Sequence, residues 1–221
     1  MAVNCGVSFG LCVMRITKVD CDGSVIAGAT NSYTSDKLIS IGVTPNIETG
    51  NSFSLRNGCG CSISRFKSND VFNWFEFTFA GGALEPEMMA LMLGAEPIED
   101  GADVVGLAFP QPANVDCGDC EPAVALEFWT KHIVGSGQDG IHPWVHWVFP
   151  KTVWQLGDNT AEEDFLQTAL TGFSRTNTQW GDGPYGDGPP DGQDISEGGY
   201  WKTAIDPPTA ECVAGDVTAT S

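Results

Sequence analysis

Between Lys37 and Phe79 the chain repeats one signal four times, and this block restricts the fold more than any other stretch. Lys37–Ile47 sets Ile39, Ile41 and Val43 on one face and Leu38, Ser40, Gly42 and Thr44 on the other. Ser52–Asn57 brings Phe53 and Leu55 together, and Cys61–Lys67 is a further short run. Val71–Phe79 places Phe75, Phe77 and Phe79 opposite Trp74, Glu76 and Thr78. A period of two is that of a strand. Gly50-Asn51, Asn57-Gly58 and Asn69-Asp70 punctuate the runs as hairpin turns do. The block therefore predicts an antiparallel meander.

The rest of the chain extends this pattern. Residues 11–19 alternate as a strand, and Asp22-Gly23 is turn chemistry. The polar segment Cys21–Asp36 reads as a loop. One helix is expected at about 85–94: Pro86 suits a first helical turn, Gly94 an end, and Met88, Met89, Leu91, Met92 and Leu93 are apolar almost all round. Pro97–Glu121 reads as an acidic loop broken by a short strand at Val104–Phe109. From Ala123, Val124, Leu126 and Phe128 alternate with Glu127 and Lys131 as in a half-buried strand. Trp144–Phe149 and Thr152–Leu156 form one strand or two, kinked at Pro150, and Phe165–Ser174 is the last firm strand. The tail, about 202–221, lacks periodicity and reads as an arm ordered only against something else. The expected fold is mainly β: a sandwich or small barrel of two packed antiparallel sheets, one short helix and long loops. A chain of 221 residues can hold this as a single domain, 1–221.

Charge narrows the partners. The net value is −19, yet residues 1–67 carry six bases against four acids, while residues 68–221 carry four against 25. Gripping nucleic acid takes Lys and Arg, so specific DNA binding is not expected. No run of about 18 apolar residues offers a membrane span, and no basic start precedes the apolar N-terminal residues, so folding in a cytoplasm is expected. The eight cysteines are expected as reduced, mostly buried thiols. Zinc would need Cys59-x-Cys61 with Cys117-x-x-Cys120, and the first pair is closer than zinc knuckles require.

Catalytic and cofactor signatures are missing from the sequence. There is no G-x-S-x-G elbow, no phosphate-binding G-x-x-x-x-G-K-[ST] loop, and no G-x-G-x-x-G between strand and helix. His142 and His146 flank Pro143 on a predicted strand, where a four-residue step separates side chains by about 13 Å, too far to share a metal. Asp182, Asp187, Asp191, Asp194 and Glu197 offer calcium-type oxygens, but not at the spacing of a calcium loop. The expectation is a protein that is not an enzyme and has neither cofactor nor metal.

The most distinctive stretch is Leu170–Pro190, LTGFSRTNTQWGDGPYGDGPP. Leu170–Gln179 can run as a strand. At Trp180 regular pairing must stop, since glycine and proline follow in quick succession. A long polar loop, about 181–199, is expected to reach outward from the domain. The arrangement of Gly172, Ser174, Asn177, Trp180, Gly181, Gly183, Pro184 and Tyr185 resembles the C-terminal part of major tail (tail tube) proteins of long-tailed, non-contractile phages infecting actinobacteria. Three further stretches match that family in order. They are Arg15–Asp20 with Cys21-Asp22-Gly23, Leu84–Glu87 through Leu91–Ala95, and Ala125–Trp129.

The resemblance implies a structural virion protein that self-assembles into stacked, generally hexameric rings. Those rings would form the tube through which the genome passes into the host. It implies a place in the virion tail after assembly in the host cytoplasm. The implied partners are further copies of itself and other tail proteins such as the tape measure, tail terminator and distal tail proteins, with DNA passing through unbound. Asn177, Trp180, Gly181, Gly183, Pro184 and Tyr185 are candidate inter-subunit contacts. Arg56, Arg65 and Lys67 are candidates for meeting an acidic surface on the next ring. Acids lining the bore would deny DNA a resting place. The alternative is a receptor- or glycan-binding β-sandwich module using Trp180, Tyr185, Tyr200 and Trp201.

Overall fold

The computed structural model describes residues 6–82, 85–101, 103–108, 121–157, 168–209 and 213–217. It is mainly β, with a sandwich-like arrangement around one short helix. The strands are β1 (Val7–Val19), β2 (Gly28–Ser35), β3 (Leu38–Glu48), β4 (Ser52–Arg56), β5 (Ser62–Lys67) and β6 (Val71–Gly81). After helix α1 (Pro86–Leu93) come β7 (Glu96–Asp100), β8 (Asp103–Ala108), β9 (Ala123–Val134), β10 (Gly137–Gln138) and β11 (Trp144–Leu156). β12 (Thr168–Ser174), β13 (Gly199–Thr203) and β14 (Val213–Val217) complete the set. The main antiparallel sheet runs β14-β2-β1-β9-β11-β12-β6-β3, with β10 beside β9 and β13 beside β11. It rolls far enough for β3 to approach β1.

The inside of the roll holds Met14, Ile16, Phe77, Phe79, Leu126, Phe149, Trp154 and Leu170, together with Met88, Met89, Met92 and Leu93 of α1. The helix takes the form expected of it. Pro86 stands at its start, where the missing N–H costs nothing. Gly94 ends it at φ 63°, and a Cβ there would lie 2.3 Å from the Pro122 ring.

A second cluster lies on the opposite face of β9 and β11: Val19, Ala123, Ala125, Val148, Val153, Trp180 and Ile195. β9 is thus buried on both sides, where a half-buried strand was expected. β11 serves both clusters as one strand. Before Pro150 its odd member Phe149 faces the roll and Val148 the outer cluster; after it Trp154 faces the roll and Val153 the outer cluster. The register against β9 shifts between Phe149 and Thr152. One extra residue there swaps the parity of the two faces and bends the strand, which accounts for the kink.

Several expectations are corrected. The predicted meander is instead one long hairpin: β3 pairs β6, and β4 pairs β5 farther out along the same two legs. Only Asn57–Cys61 turns, with Asn57 Oδ1 accepting from the Cys59 and Cys61 amides. Gly50 and Asp70 face each other across the legs, where the Gly50 amide donates to Asp70. Part of the supposed loop 21–36 is β2, whose polar residues carry no hydrophobic period and are held by pairing to β1. β7 was hidden by its acids and Pro97. β12 ends at Ser174, not at Gln179; the Phe165–Gln167 part of that expectation, with Phe109, lies outside the described residues. The C-terminal arm contains β14, which pairs with β2 of its own chain. Cys21 is disulfide-bonded and so not reduced, while Cys59 and Cys61 are free thiols but exposed instead of buried. Cys117 and Cys120 lie outside the described residues.

Candidate functional site

The segment after β12 folds back as a cover over the outer face of β9 and β11. Asn177 pins its start. The Asn177 side-chain amide donates to the carbonyls of Gly23 (2.9 Å) and Pro150 (3.0 Å), and its Oδ1 accepts from the Gln179 amide. A Cβ on Gly23, at φ 92°, would sit 2.2 Å from Asn177 Oδ1, so the Asp22-Gly23 turn and the cover loop fit only together. Trp180 then enters the outer cluster and Pro184 is buried behind it. Gly183 turns at φ 75° and donates its amide to the Trp180 carbonyl, while Gly181 is exposed at φ 55°.

At the centre of the covered face lies a charged cluster. Arg15 on β1 and Glu127 on β9 are cross-strand partners, and both are buried. The guanidinium donates to Glu127 through Nε (2.7 Å) and Nη2 (2.8 Å), and Nη2 also reaches Asp187 of the cover loop at 2.7 Å. The ring of Tyr185 lies over the guanidinium carbon, 3.5 Å from centroid to Cζ, while Trp129 flanks it at 5.1 Å. The Tyr185 hydroxyl is 3.0 Å from Thr17 Oγ1. His146, stacked on Trp129, brings Nε2 to 3.2 Å from Glu127.

Burial alone would push the Glu127 carboxyl up, but the Arg15 charge and its hydrogen bonds win and hold it down at about 2. Burial likewise opposes charge on Arg15, and Glu127 and Asp187 overcome it, raising the guanidinium above its ordinary value. Glu127, His146 and Asp187 bring ligand-type atoms within 4.8 Å of one another. Arg15 already stands among them and supplies the positive charge the two carboxylates require, so a metal ion would have to displace a bidentate guanidinium. The cluster is a latch holding the cover loop to the sheet.

This placement revises the candidate contacts. Asn177, Trp180, Gly183 and Pro184 are buried inside their own chain, and Tyr185 is half-buried over Arg15. They build the cover loop, which lies on the domain and does not reach outward. Asp187 is bound to Arg15, Asp194 accepts from the Ser196 amide, and Glu197 accepts from the Thr176 hydroxyl, so these three members of the acidic set have separate partners.

Arg56, Arg65 and Lys67 sit elsewhere, on the ribbon β4–β5. Every residue from Asn51 to Lys67 is exposed. Alternation puts Phe53, Leu55 and Phe66 on one face and Arg65, Lys67 and the exposed Ile63 on the other, with Phe53 opposite Phe66 and Ser54 opposite Arg65; Arg56 follows on this second face after a register shift at Leu55. Lys67 pairs with Asp70 at 2.9 Å. This bare amphipathic ribbon is the feature that sequence reasoning missed. Its cue was the alternation of Phe53 and Leu55, read as part of an antiparallel meander. Comparison with protein-family models and with curated proteins returned no match.

Proposed function

We propose that the chain is a self-assembling structural subunit of a phage tail tube, built of stacked rings through which a genome is delivered. The ribbon carries this reading. A two-stranded hairpin standing alone is marginal in water, and this one adds Phe53, Leu55 and Phe66, each more than 60% exposed. Contiguous apolar surface of this kind marks an interaction site. Ile47 and Val71 add exposed apolar surface on the two strands that feed the ribbon. A subunit whose ribbon and strand edges are completed by neighbours meets the conditions for ring and filament growth, since head-to-tail contacts do not close.

The charge supports the second half of the reading. Of 29 acids, 25 fall after residue 67, outside the ribbon, and a wall of that sign would repel a passing phosphate backbone. Negative-stain electron microscopy of concentrated protein tests the proposal. Hollow tubes of uniform bore are expected; discrete particles at every concentration would overturn it. The rival reading, a glycan-binding module, is left with one free aromatic. Trp180 is buried and Trp201 packs on His146, but Tyr200 is 65% exposed and stacked on Trp147 at 4.4 Å. Glycan-array binding abolished by Tyr200→Ala would favour that alternative.

A further inference from the structure

Resting on the self-assembly reading, we infer that the β4–β5 ribbon of one copy seats in the groove between α1 and the β7–β8 hairpin of another. The groove has a volume of about 550 Å³. Its floor is apolar and incompletely covered, with Leu91, Val104 and Ile26 half-buried. Its charged lining is four acids, Asp20, Glu87, Glu99 and Glu121, against the single base Lys18. Glu121 is engaged by Arg175, whereas Glu87 and Glu99 make no ion pair among the described residues.

The ribbon is complementary on both counts. Residues 51–67 hold three of the chain's ten bases and none of its 29 acids. Arg56 and Arg65 have no acidic partner among the described residues, and Lys67 is already held by Asp70. Laid face down, Phe53, Leu55 and Phe66 cover the apolar floor. Arg56 and Arg65, on the upper face with Ile63, have side chains long enough to reach back to the rim carboxylates. Burying the apolar face supplies affinity, and the charges fix which surface is chosen. An acidic surface elsewhere on this molecule would attract the arginines equally, but among the described residues this groove pairs unengaged acids with an open apolar floor of α1. A ribbon-to-groove contact is heterologous, so repeating it builds a chain of copies.

A charge exchange tests the inference. Arg56→Glu with Arg65→Glu makes one variant, and Glu87→Arg with Glu99→Arg makes the other; circular dichroism and thermal melting establish that each is folded. Sedimentation velocity and electron microscopy then read association. Each variant alone is expected to need at least about tenfold more protein to associate than wild type, a loss of about 1.4 kcal/mol. An equimolar mixture is expected to recover most of this, because each ribbon then meets a groove of opposite sign. Tubes that form normally from either variant, or variants that fail together as they fail alone, would overturn the docking site and leave the tail-tube reading standing. Charge-sensitive association into compact oligomers without tubes would do the reverse. Wild-type protein that stays monomeric throughout would overturn both.

Discussion

Replacing Glu127 with glutamine tests whether the Arg15 cluster latches the cover loop. The substitution keeps the shape and removes the charge, leaving a buried guanidinium with Asp187 as its one remaining carboxylate. Stranding one member of a buried pair costs roughly 3–5 kcal/mol. Asp187, 2.7 Å from Nη2, retains part of the compensation and places Glu127→Gln near the lower end, about 3 kcal/mol. For a chain of this size that is a fall in Tm of roughly 6–12 °C. Replacing both charges, Arg15→Met with Glu127→Leu, leaves neither member of the pair stranded, although His146 and Asp187 lose their partner, and should cost less than the two single substitutions summed. Urea unfolding of Arg15→Met, Glu127→Leu and the double variant reads the coupling directly. A Glu127→Gln protein as stable as wild type, or a double variant losing the sum of both singles, would refute the reasoning.

The same carboxyl sets a pH dependence. Its folded value of about 2 lies below the ordinary 4.5, so the folded state resists protonation. Its stabilising contribution is complete above about pH 4.5 and drains as pH falls toward 2. Acid unfolding should be less steep in Glu127→Gln than in wild type. Asn177→Ala leaves the buried Gly23 and Pro150 carbonyls without their donor, at about 1–3 kcal/mol for each group stranded. Limited proteolysis should then cut within 178–198 first; an unchanged cleavage pattern would show that Asn177 is not the pin. Phe53→Ser with Phe66→Ser touches only exposed positions and should shift monomer stability by no more than about 0.5 kcal/mol per site. Light scattering of concentrated protein should nonetheless show assembly abolished, and assembly at the wild-type level would count against the ribbon's role.

The elements legible in the sequence were those with a local signature. Period-two runs gave β3, β6 and much of β9, and the Pro86–Gly94 pair bounded α1 to within a residue. Pairing was less accessible, because a nested hairpin and a meander share the same strands and turn-forming dipeptides: Gly50-Asn51 looks like a turn until Asp70 is found across from it. β2 and β14 have no amphipathic period of their own; β2 is held by pairing to β1, and β14 by the edge that β2 then offers. Glu127 illustrates the same limit at the candidate site. Alternation marked it as outward-facing, which is correct for the roll, but the cover loop and Arg15, 112 residues away, make that outward face an interior. Asn177, Trp180 and Tyr185 were singled out as candidate contacts with a neighbour, and the fold packs them against their own chain; spacing alone does not distinguish an aromatic anchoring a neighbour from one anchoring its own loop.

Hydrogen–deuterium exchange of the Ser52–Lys67 amides across a concentration series measures most directly whether another copy covers the ribbon. The account predicts fast exchange in dilute protein and strong protection of these residues once the protein is concentrated, while the β9 and β11 amides stay protected throughout. Equally fast exchange of the ribbon at every concentration would contradict it.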